Sequence, residues 1–364
     1  MRTMQAAVLY DYRTPMVVEE VHLDDPGPNE VMVKVAAGGV CRTDLHVLKG
    51  EWTARFPIVL GHEAAGTVAA VGAGVTRVRP GEPVVLTFKP HCGYCEPCMT
   101  GRPALCSGLG GPGGALPGGH PRLAKDGQPL HRFASTAAFA EYTVVHESSA
   151  VPIGPETPME VAALVGCSVT TGVGAVLNTA RVRPGSTVAV IGCGGVGLNV
   201  VQGARLANAA RIIAVDVSQE ALEFAGRFGA TDTVDAREAA PVDAIRRLTG
   251  GGADYTFEVL GSAETVRTAF EATRPGGTAT VVGLAAGEYA QIDAFALAVQ
   301  EKTLKGSFYG SARTHVDMPK YLALAQAGKL DLGALVTRRY PLEAINEAYA
   351  ALDRGAVGRG VIVF

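Results

Sequence analysis

Four cysteines in one short segment are the clearest chemical signal in the sequence. The segment PHCGYCEPCMTGRPALC, residues 90–106, spaces them as C-x2-C-x2-C-x7-C. Four thiolates so spaced favour a tetrahedral zinc with complete coordination, which leaves no position for a substrate. An iron–sulfur cluster also takes four cysteines, but the spacings usual for ferredoxins differ from this one. We therefore predict a structural zinc site formed by Cys92, Cys95, Cys98 and Cys106.

A catalytic metal would have to use the remaining cysteines, Cys41, Cys167 and Cys193, and the histidines. Cys41 opens CRTDLH and His62 lies in GHEAAG, each directly after an apolar run, and Glu63 adds a carboxylate. Taken alone, either residue is more often part of a core than a ligand. A Cys/His pair with one further thiolate would leave one zinc position open. Because Cys193 sits in a crowded glycine-rich turn, Cys167 is the available third ligand, which the sequence permits but does not require.

A glycine-rich turn has the pattern of a dinucleotide-binding site. TVAVIGCGGVG places G-x-G-x-x-G directly after a buried strand and at the start of a helical pattern, and Asp216 ends the next strand. Such glycines allow a tight turn and let a pyrophosphate approach the helix N-terminus. The charge of Asp216 would repel a 2′-phosphate, which favours NAD over NADP. The predicted turn residues are Gly192, Gly194, Gly195, Val196 and Gly197.

The elements that must position these residues change in character near Thr157. Before it, short β-branched runs such as AAVLY and EVMVKVAAGGV, separated by Gly and Pro, indicate a mainly β region. We find no dominant helical pattern there. After it, near-continuous apolar strands alternate with helical segments such as SQEALEFAGRFG, which is typical of a parallel sheet covered on both faces.

Composition excludes several classes of function. The 364 residues are 48% hydrophobic and 18% charged with a formal net charge of −3, so nothing indicates a nucleic-acid-binding surface. No segment reaches about eighteen uninterrupted apolar residues. The first residues also lack an apolar core followed by a cleavage site. We expect a cytoplasmic protein that binds neither nucleic acid nor a membrane.

With these residues placed, the sequence closely resembles the zinc-containing medium-chain alcohol dehydrogenases almost from end to end. CRTDLH, GHEAAGTVAAVGAGV, the four-cysteine segment and GCGGVG occur in that family's order and at approximately its spacings. The resemblance implies an α/β protein with a mainly-β GroES-like catalytic domain at 1–170 and 311–364 and a doubly wound parallel-sheet Rossmann domain at 171–310. It also implies NAD and two Zn²⁺ per subunit, the catalytic one held by Cys41, His62 and Cys167 with Glu63 behind it.

The resemblance assigns further roles near the catalytic zinc. Thr43 matches the hydroxyl residue that bonds the alcohol, and His46 matches the base that passes its proton to solvent. Asp44 matches the acid behind the zinc histidine. In the implied reaction, zinc polarises the alcohol oxygen, the proton leaves by Thr43 and His46, and hydride passes to the nicotinamide.

Further residues are implied to bind the cofactor. Arg42 and Arg359 match arginines that grip the pyrophosphate, and Val196 matches the aliphatic residue behind the nicotinamide ring. Some bacterial relatives keep NAD permanently bound and need an external electron acceptor, and this behaviour is one alternative here. A second alternative, from another class, is a binding module that uses zinc and NAD without turnover.

The substrate pocket implied by the family alignment is aromatic and apolar. Such a lining favours aromatic or medium-chain aliphatic primary alcohols, which are oxidised to aldehydes, over polyols. Plain core packing is the rival interpretation for every lining residue. Gly110 stands where the family's glutathione-dependent formaldehyde dehydrogenases have an arginine, which counts against that activity. The predicted lining residues are Trp52, Phe88, Phe139, Leu284 and Tyr309.

The segment from Gly108 to about Thr136 bears on the oligomeric state. It is long, as in the dimeric members of the family and unlike the shorter tetrameric ones. We therefore expect a homodimer. The only other partner that we expect is the small-molecule substrate, an alcohol or aldehyde.

Overall fold

The structure, a computed structural model, describes residues 1–109, 116–117, 119–284 and 286–364. Gly110 lies outside the described residues. The expected lack of glutathione-dependent formaldehyde dehydrogenase activity therefore stays a prediction, as does the homodimer inferred from the segment around Gly110. The chain divides into two units. The first comprises Met1–Cys167, Arg313–Gln326 and Leu332–Phe364, and the second comprises Ser168–Ala312 and Ala327–Asp331. The predicted domain bounds, at 170/171 and 310/311, remain predictions.

The N-terminal part of the first unit is built from short strands rich in β-branched residues. The strands are β1 (Arg2–Leu9), β2 (Val17–Leu23), β3 (Glu30–Gly39), β4 (Ile58–Val59), β5 (Ala64–Val71), β6 (Pro83–Leu86), β7 (Leu123–Lys125), β8 (Gln128–Pro129), β9 (His131–Arg132), β10 (Tyr142–His146) and β11 (Ala150–Pro152). The helices are α1 (Arg42–Leu48), α2 (Glu96–Met99) and α3 (Met159–Leu164). Helix α1 was not predicted, because its seven residues are too few to show a helical period.

The second unit alternates strands and helices. Its strands are β12 (Thr187–Ile191), β13 (Arg211–Asp216), β14 (Asp232–Asp235), β15 (Ala253–Glu258), β16 (Thr273–Val281) and β17 (Thr303–Gly306). Its helices are α4 (Thr170–Gly174), α5 (Gly195–Leu206), α6 (Gln219–Phe228), α7 (Pro241–Thr249), α8 (Ala263–Ala272) and α9 (Ala294–Val299). All strand pairs are parallel, in the order β14-β13-β12-β15-β16-β17. This is the doubly wound order in which ligands bind at the carboxyl ends of the strands.

The C-terminal part of the chain completes the first unit. Its elements are α10 (Thr314–Gln326), β18 (Val336–Pro341), α11 (Ile345–Asp353) and β19 (Arg359–Val363). Among the described residues, one sheet of this unit has the order β8-β7-β2-β1-β4-β9. The other has the order β11-β6-β5-β3-β19-β18, with β10 also paired to β3. The predicted combination of a mainly-β GroES-like domain and a parallel-sheet Rossmann domain is confirmed.

One continuous helical stretch, Met159–Ala180, is apolar and 22 residues long, enough by length and composition to cross a membrane. However, 78% of its most apolar window is buried inside the protein, which is the behaviour of a core helix. The stretch contains two π-helical turns, Val165–Val169 and Ala175–Ala180. Such turns shift the side-chain positions of the residues that follow, and they occur frequently at functional sites.

Candidate active site

Helix α1 follows β3 and brings several predicted site residues to one place. Its N-cap residue is Cys41, in an extended conformation. The helix itself carries Thr43, Asp44 and His46. Asp44 is fully buried, whereas Thr43 and His46 are half-buried. One short helix therefore joins a predicted metal ligand, the acid that supports another ligand and both predicted proton-transfer residues.

Cys41, His62 and Cys167 come together inside the first unit. Their ligand atoms all lie within 4.8 Å of one another, and all three residues are buried. His62 is placed by Gly61, whose φ of +89° lies in the region that favours glycine. Cys167 is placed by the π-helical turn Val165–Val169. Two thiols and one imidazole suit a tetrahedral zinc with one open position, so these residues fit a catalytic zinc.

Asp44 orients the imidazole of His62. One carboxylate oxygen, Oδ2, lies 3.0 Å from His62 Nδ1, and the other, Oδ1, accepts a hydrogen bond of 2.9 Å from the Gly61 amide. Because Nδ1 faces the carboxylate, Nε2 is the ring nitrogen left for a metal. Burial lowers the pKa of His62, but the charges of Asp44 and Cys41 outweigh it and raise that pKa well above its usual value.

A hydrogen bond joins the two thiols of the cluster and moves their pKa values in opposite directions. The hydrogen bond with Cys167 lowers the pKa of Cys41 well below its ordinary value, with help from His62 and Arg359 and against the effect of burial. The same bond, together with burial, raises the pKa of Cys167. Metal binding requires deprotonated thiols and a neutral imidazole, so an ion would replace the protons held by this cluster.

A buried ion pair lies beside the cluster. Arg359 Nη2 donates to Glu63 Oε2, and both side chains are almost completely buried. The space for this carboxylate depends on Gly39, because a Cβ at that position would overlap the Glu63 side chain. Burial lowers the pKa of Arg359, but the charges of Glu63, Cys41 and Cys167 outweigh it and raise that pKa. The structure thus gives Arg359 a carboxylate partner near the thiols, which the sequence did not reveal, and its predicted contact with pyrophosphate stays a prediction.

The predicted proton-transfer residues lie on α1 with clear partners. The Thr43 hydroxyl lies 3.7 Å from the Cys41 sulfur. His46 contacts the Glu51 carboxylate through Nδ1, and its ring stacks on Trp52 with centroids 5.3 Å apart and planes at 14°. Glu51 was not identified from the sequence, since nothing local distinguishes it from an ordinary surface carboxylate.

Aromatic rings surround His62. Phe88 and Phe133 meet it edge-on, with centroid distances of 5.4 Å and 5.7 Å. Phe88 was predicted to line the pocket, and Phe133 was missed because its position depends on the long segment that precedes it. Phe139 is 0% exposed and packs edge-on against Tyr349 in the core. Its burial favours a packing role, and its place in the pocket stays a prediction.

The last two predicted pocket residues belong to the second unit. Leu284 is 43% exposed, whereas Tyr309 is 2% exposed. Their contribution to a pocket therefore stays a prediction.

The four-cysteine segment forms a separate cluster around α2. Neighbouring sulfurs lie 3.5 Å (Cys95–Cys98), 3.6 Å (Cys92–Cys106) and 3.7 Å (Cys95–Cys106) apart. Four sulfurs bound at about 2.3 Å around a tetrahedral zinc would lie about 3.8 Å apart, so the cluster fits such an ion. Backbone amides of Cys95 and Gly108 also donate to cluster sulfurs, at 3.4 Å each.

The nucleotide turn joins β12 to α5 in the second unit. Gly192 has φ of +97°, and a Cβ on Gly197 would overlap the Gly192 carbonyl oxygen, so both positions require glycine. Gly194 is the N-cap of α5, and Gly195, Val196 and Gly197 form its first turn. On the neighbouring strand, Asp216 accepts hydrogen bonds from the amides of Cys193 (2.7 Å) and Ser218 (2.9 Å). These bonds fix its carboxylate at the carboxyl end of the sheet.

Comparison with known proteins agrees with this arrangement. The family models for an alcohol dehydrogenase GroES-like domain and for a zinc-binding dehydrogenase match residues 27–155 and 195–327. The alcohol dehydrogenase class-3 of Drosophila melanogaster is 40% identical, over 100% of this chain and 98% of the relative. The chain belongs to the zinc-containing medium-chain alcohol dehydrogenase family. The resemblance predicted from the motifs is therefore confirmed.

Solved structures of this family superimpose closely. The benzyl alcohol dehydrogenase of Acinetobacter calcoaceticus has a TM-score of 0.95 at 33% identity, with 100% of both chains covered. A zinc-binding dehydrogenase of Sinorhizobium meliloti 1021, solved with NADP, has a TM-score of 0.83 at 28% identity, again with 100% of both chains covered. This alcohol dehydrogenase family member is accordingly an oxidoreductase.

Proposed function

We propose that this dehydrogenase oxidises a primary alcohol to the aldehyde, with NAD as the hydride acceptor and one catalytic zinc. The observation that carries the proposal is the buried set of two thiols and one imidazole with Asp44 behind it. Three such ligands leave one position open on a tetrahedral ion, and zinc alcohol dehydrogenases are known for this Cys₂His set. When bound, zinc supplies a Lewis acid for an alcohol or carbonyl oxygen, and NAD supplies the hydride acceptor.

In this proposal, Thr43 binds the alcohol hydroxyl and His46 accepts its proton. Two features support the assignment. Thr43 lies beside the ligand Cys41, so its hydroxyl borders the metal cluster. His46 follows three residues later on the same helix face, and its side chain is 18% exposed, which gives the proton a route to water.

The choice of NAD rests on Asp216. Its carboxylate is held at the end of β13 by the amides of Cys193 and Ser218, next to the glycine turn. An acid in this place accepts hydrogen bonds from ribose hydroxyls and repels a 2′-phosphate. The NADP in the Sinorhizobium meliloti neighbour belongs to a chain with 28% identity. We propose that Gly192, Gly194 and Gly197 hold the pyrophosphate. The match of Arg42 and Arg359 to pyrophosphate-binding arginines stays a prediction of the resemblance.

An aromatic or medium-chain aliphatic alcohol suits the residues around the metal cluster. Phe88 and Phe133 flank His62, and Trp52 lies against His46. Apolar rings of this kind bind a benzylic or alkyl group and offer no partners for additional hydroxyls. The name of the Acinetobacter calcoaceticus neighbour, a benzyl alcohol dehydrogenase, agrees with this preference.

The test measures NADH absorbance in purified, metal-quantified protein after addition of benzyl alcohol, first without and then with external NAD or NADP. Steady NADH formation only with added NAD would support the proposal. Preference for NADP would contradict the role of Asp216.

Two other outcomes correspond to the alternative functions. A single rise that stops near one equivalent without added NAD would show a permanently bound cofactor that needs an external acceptor. Zinc and NAD binding with no turnover over a wide panel of alcohols would contradict the proposal and favour the binding module.

We also propose that the protein is a cytoplasmic homodimer. The strand β17 is an edge of the parallel sheet, and the preceding helix α9 has no buried residues. Nearby Tyr289, Phe295 and Val299 are strongly exposed, and a second copy would cover such a surface. Light scattering should give twice the chain mass, and Phe295→Glu should give monomers.

A further inference from the structure

The end of helix α1 folds back onto His46. After Leu48, Gly50 adopts a left-handed conformation with φ of +72°, which ends the helix. The chain then returns, so that the amides of Glu51 and Trp52 both donate to the His46 carbonyl oxygen, at 2.9 Å and 3.2 Å. The two side chains are thereby fixed against the histidine that lies five and six residues earlier.

Both side chains engage the imidazole itself. The Glu51 carboxylate contacts Nδ1, and the indole of Trp52 stacks on the ring at an angle of 14°. A neutral imidazole carries its proton on one nitrogen and accepts on the other, and the partner of one nitrogen decides which. An acceptor at Nδ1 therefore selects the tautomer whose Nε2 is free to take a proton.

We propose that Glu51 is a positioning residue for proton transfer by His46, and that Trp52 fixes the plane of the His46 ring. This inference rests on the proposed function, in which His46 accepts the alcohol proton. The proton that leaves the alcohol binds to Nε2, and the Nδ1–H bond to Glu51 stays in place. The carboxylate then balances the positive charge of the imidazolium until the proton passes to water.

A second carboxylate–imidazole pair on the same helix supports this division of roles. Asp44 supports His62 in the interior, where both side chains are almost unexposed, at 0% and 2%. Glu51 supports His46 at the surface, where the side chains are 49% and 18% exposed. The buried pair suits a fixed metal ligand, whereas the exposed pair suits a group that must exchange protons with water.

The neighbouring charges leave Glu51 available to His46. Lys49, the closest cation along the chain, pairs with Asp353 of α11 at 2.5 Å. Asp353→Asn is therefore a matched control, because it breaks a surface ion pair at the same end of α1 without touching His46. Glu51→Gln keeps the size of the side chain, removes its charge and replaces one carboxylate oxygen by an NH2 donor. Because this donor can bond to an unprotonated Nδ1, the variant no longer requires a proton on that nitrogen.

The experiment combines ¹⁵N-histidine NMR of the zinc-loaded protein with alcohol oxidation, and His46→Gln assigns the His46 signals. In the unmodified protein we expect neutral His46 to be protonated at Nδ1. Glu51→Gln should shift this tautomer balance and lower kcat about tenfold, since a positioned proton-transfer group is worth roughly a hundredfold or more. Asp353→Asn should change neither quantity. In the His46→Gln background, Glu51→Gln should have no further effect on kcat.

An unchanged tautomer balance in Glu51→Gln would overturn the inference. It would also be overturned if Glu51→Gln lowered kcat in the His46→Gln background by the same factor as in the unmodified protein. If the unmodified protein oxidises alcohols and Glu51→Gln matches its rate, only this inference fails. If the unmodified protein oxidises no alcohol, the proposed function fails, and with it the role of Glu51 in catalysis. The NMR spectra then still report whether Glu51 sets the His46 tautomer.

Discussion

The two cysteine clusters of the first unit are built in opposite ways. The four-cysteine cluster comes from one continuous segment, and Cys92, Cys95 and Cys98 are only partly buried. The three-ligand cluster comes from the N-cap of α1, the β4–β5 connection and the helix that follows α3, and all its members are buried. The first site is organised by its own short segment, whereas the second depends on the packing of the whole unit.

This contrast predicts where a metal stabilises the fold and where the fold shapes a metal site. Around the four cysteines, apolar side chains such as Tyr94 and Met99 point to solvent, at 73% and 76% exposure. Little apolar burial is therefore available to hold that segment without an ion. Around Cys41 and His62, buried Asp44 and Glu63 form a polar interior that sets ligand orientation and charge.

Removing a ligand from the buried cluster should have the largest effect on activity. Cys41→Ser should remove one zinc per subunit and lower kcat about a thousandfold or more, since a Lewis acid contributes several kcal/mol and each 1.4 kcal/mol is about tenfold. Circular dichroism should show an intact fold. Substantial activity in this variant would contradict the catalytic assignment of the cluster.

Removing a ligand from the exposed cluster should act on stability instead. Cys98→Ala should release the other zinc and lower the free energy of unfolding by several kcal/mol, because metal binding there is coupled to folding of the segment. Urea unfolding with zinc quantification measures both effects. A zinc-depleted variant with an unchanged unfolding midpoint would show that the segment holds its shape without metal.

Core packing near the buried cluster should also contribute to stability. Phe139→Ala should lower the free energy of unfolding by about 3–5 kcal/mol, because a fully buried aromatic ring is removed from the core. Urea unfolding measures the cost. A small loss of stability combined with an altered KM for benzyl alcohol would instead support the predicted place of Phe139 in the pocket.

The orientation of His62 should matter less than its presence. Asp44→Asn should lower the affinity for the catalytic zinc about 10–100-fold, since it replaces the carboxylate behind a histidine ligand. Competition with a chelator measures this affinity. The zinc of the four-cysteine cluster serves as an internal control, and equal weakening of both ions would point to general unfolding.

The smallest effect is expected at the surface of the four-cysteine segment. Met99→Ser should change the free energy of unfolding by no more than about 0.5 kcal/mol, because the side chain makes little buried contact. A cost of several kcal/mol would mean that apolar packing, rather than an ion, holds this segment.

The fold and the four-cysteine cluster could be predicted because their signals are local or repeated, whereas the set Cys41, His62 and Cys167 followed only from the resemblance to the family. Close cysteine spacing and the G-x-G-x-x-G turn are legible in a few residues, and the alternation of buried strands and helices indicated the parallel sheet. Helix α1 was missed because it is short and its N-cap residue, Cys41, makes no side-chain capping bond.

The contacts that the sequence did not reveal join residues far apart in the chain or are set by an unrecognised turn. Arg359 meets Glu63 only after β19 has paired with β3. Glu51 reaches His46 only because Gly50 reverses the chain. The first contact depends on tertiary structure, and the second depends on the conformation of one glycine. Neither leaves a pattern in the sequence that we could recognise.

The missing side chain at Gly39 sets a limit on how this enzyme can be redesigned. Any other residue there would compete for space with the Glu63 carboxylate, so a library aimed at the metal site gains nothing from varying this position alone. A productive change would have to shorten Glu63 at the same time and find a new counterion for Arg359. Positions 39, 63 and 359 are therefore best varied together in one library.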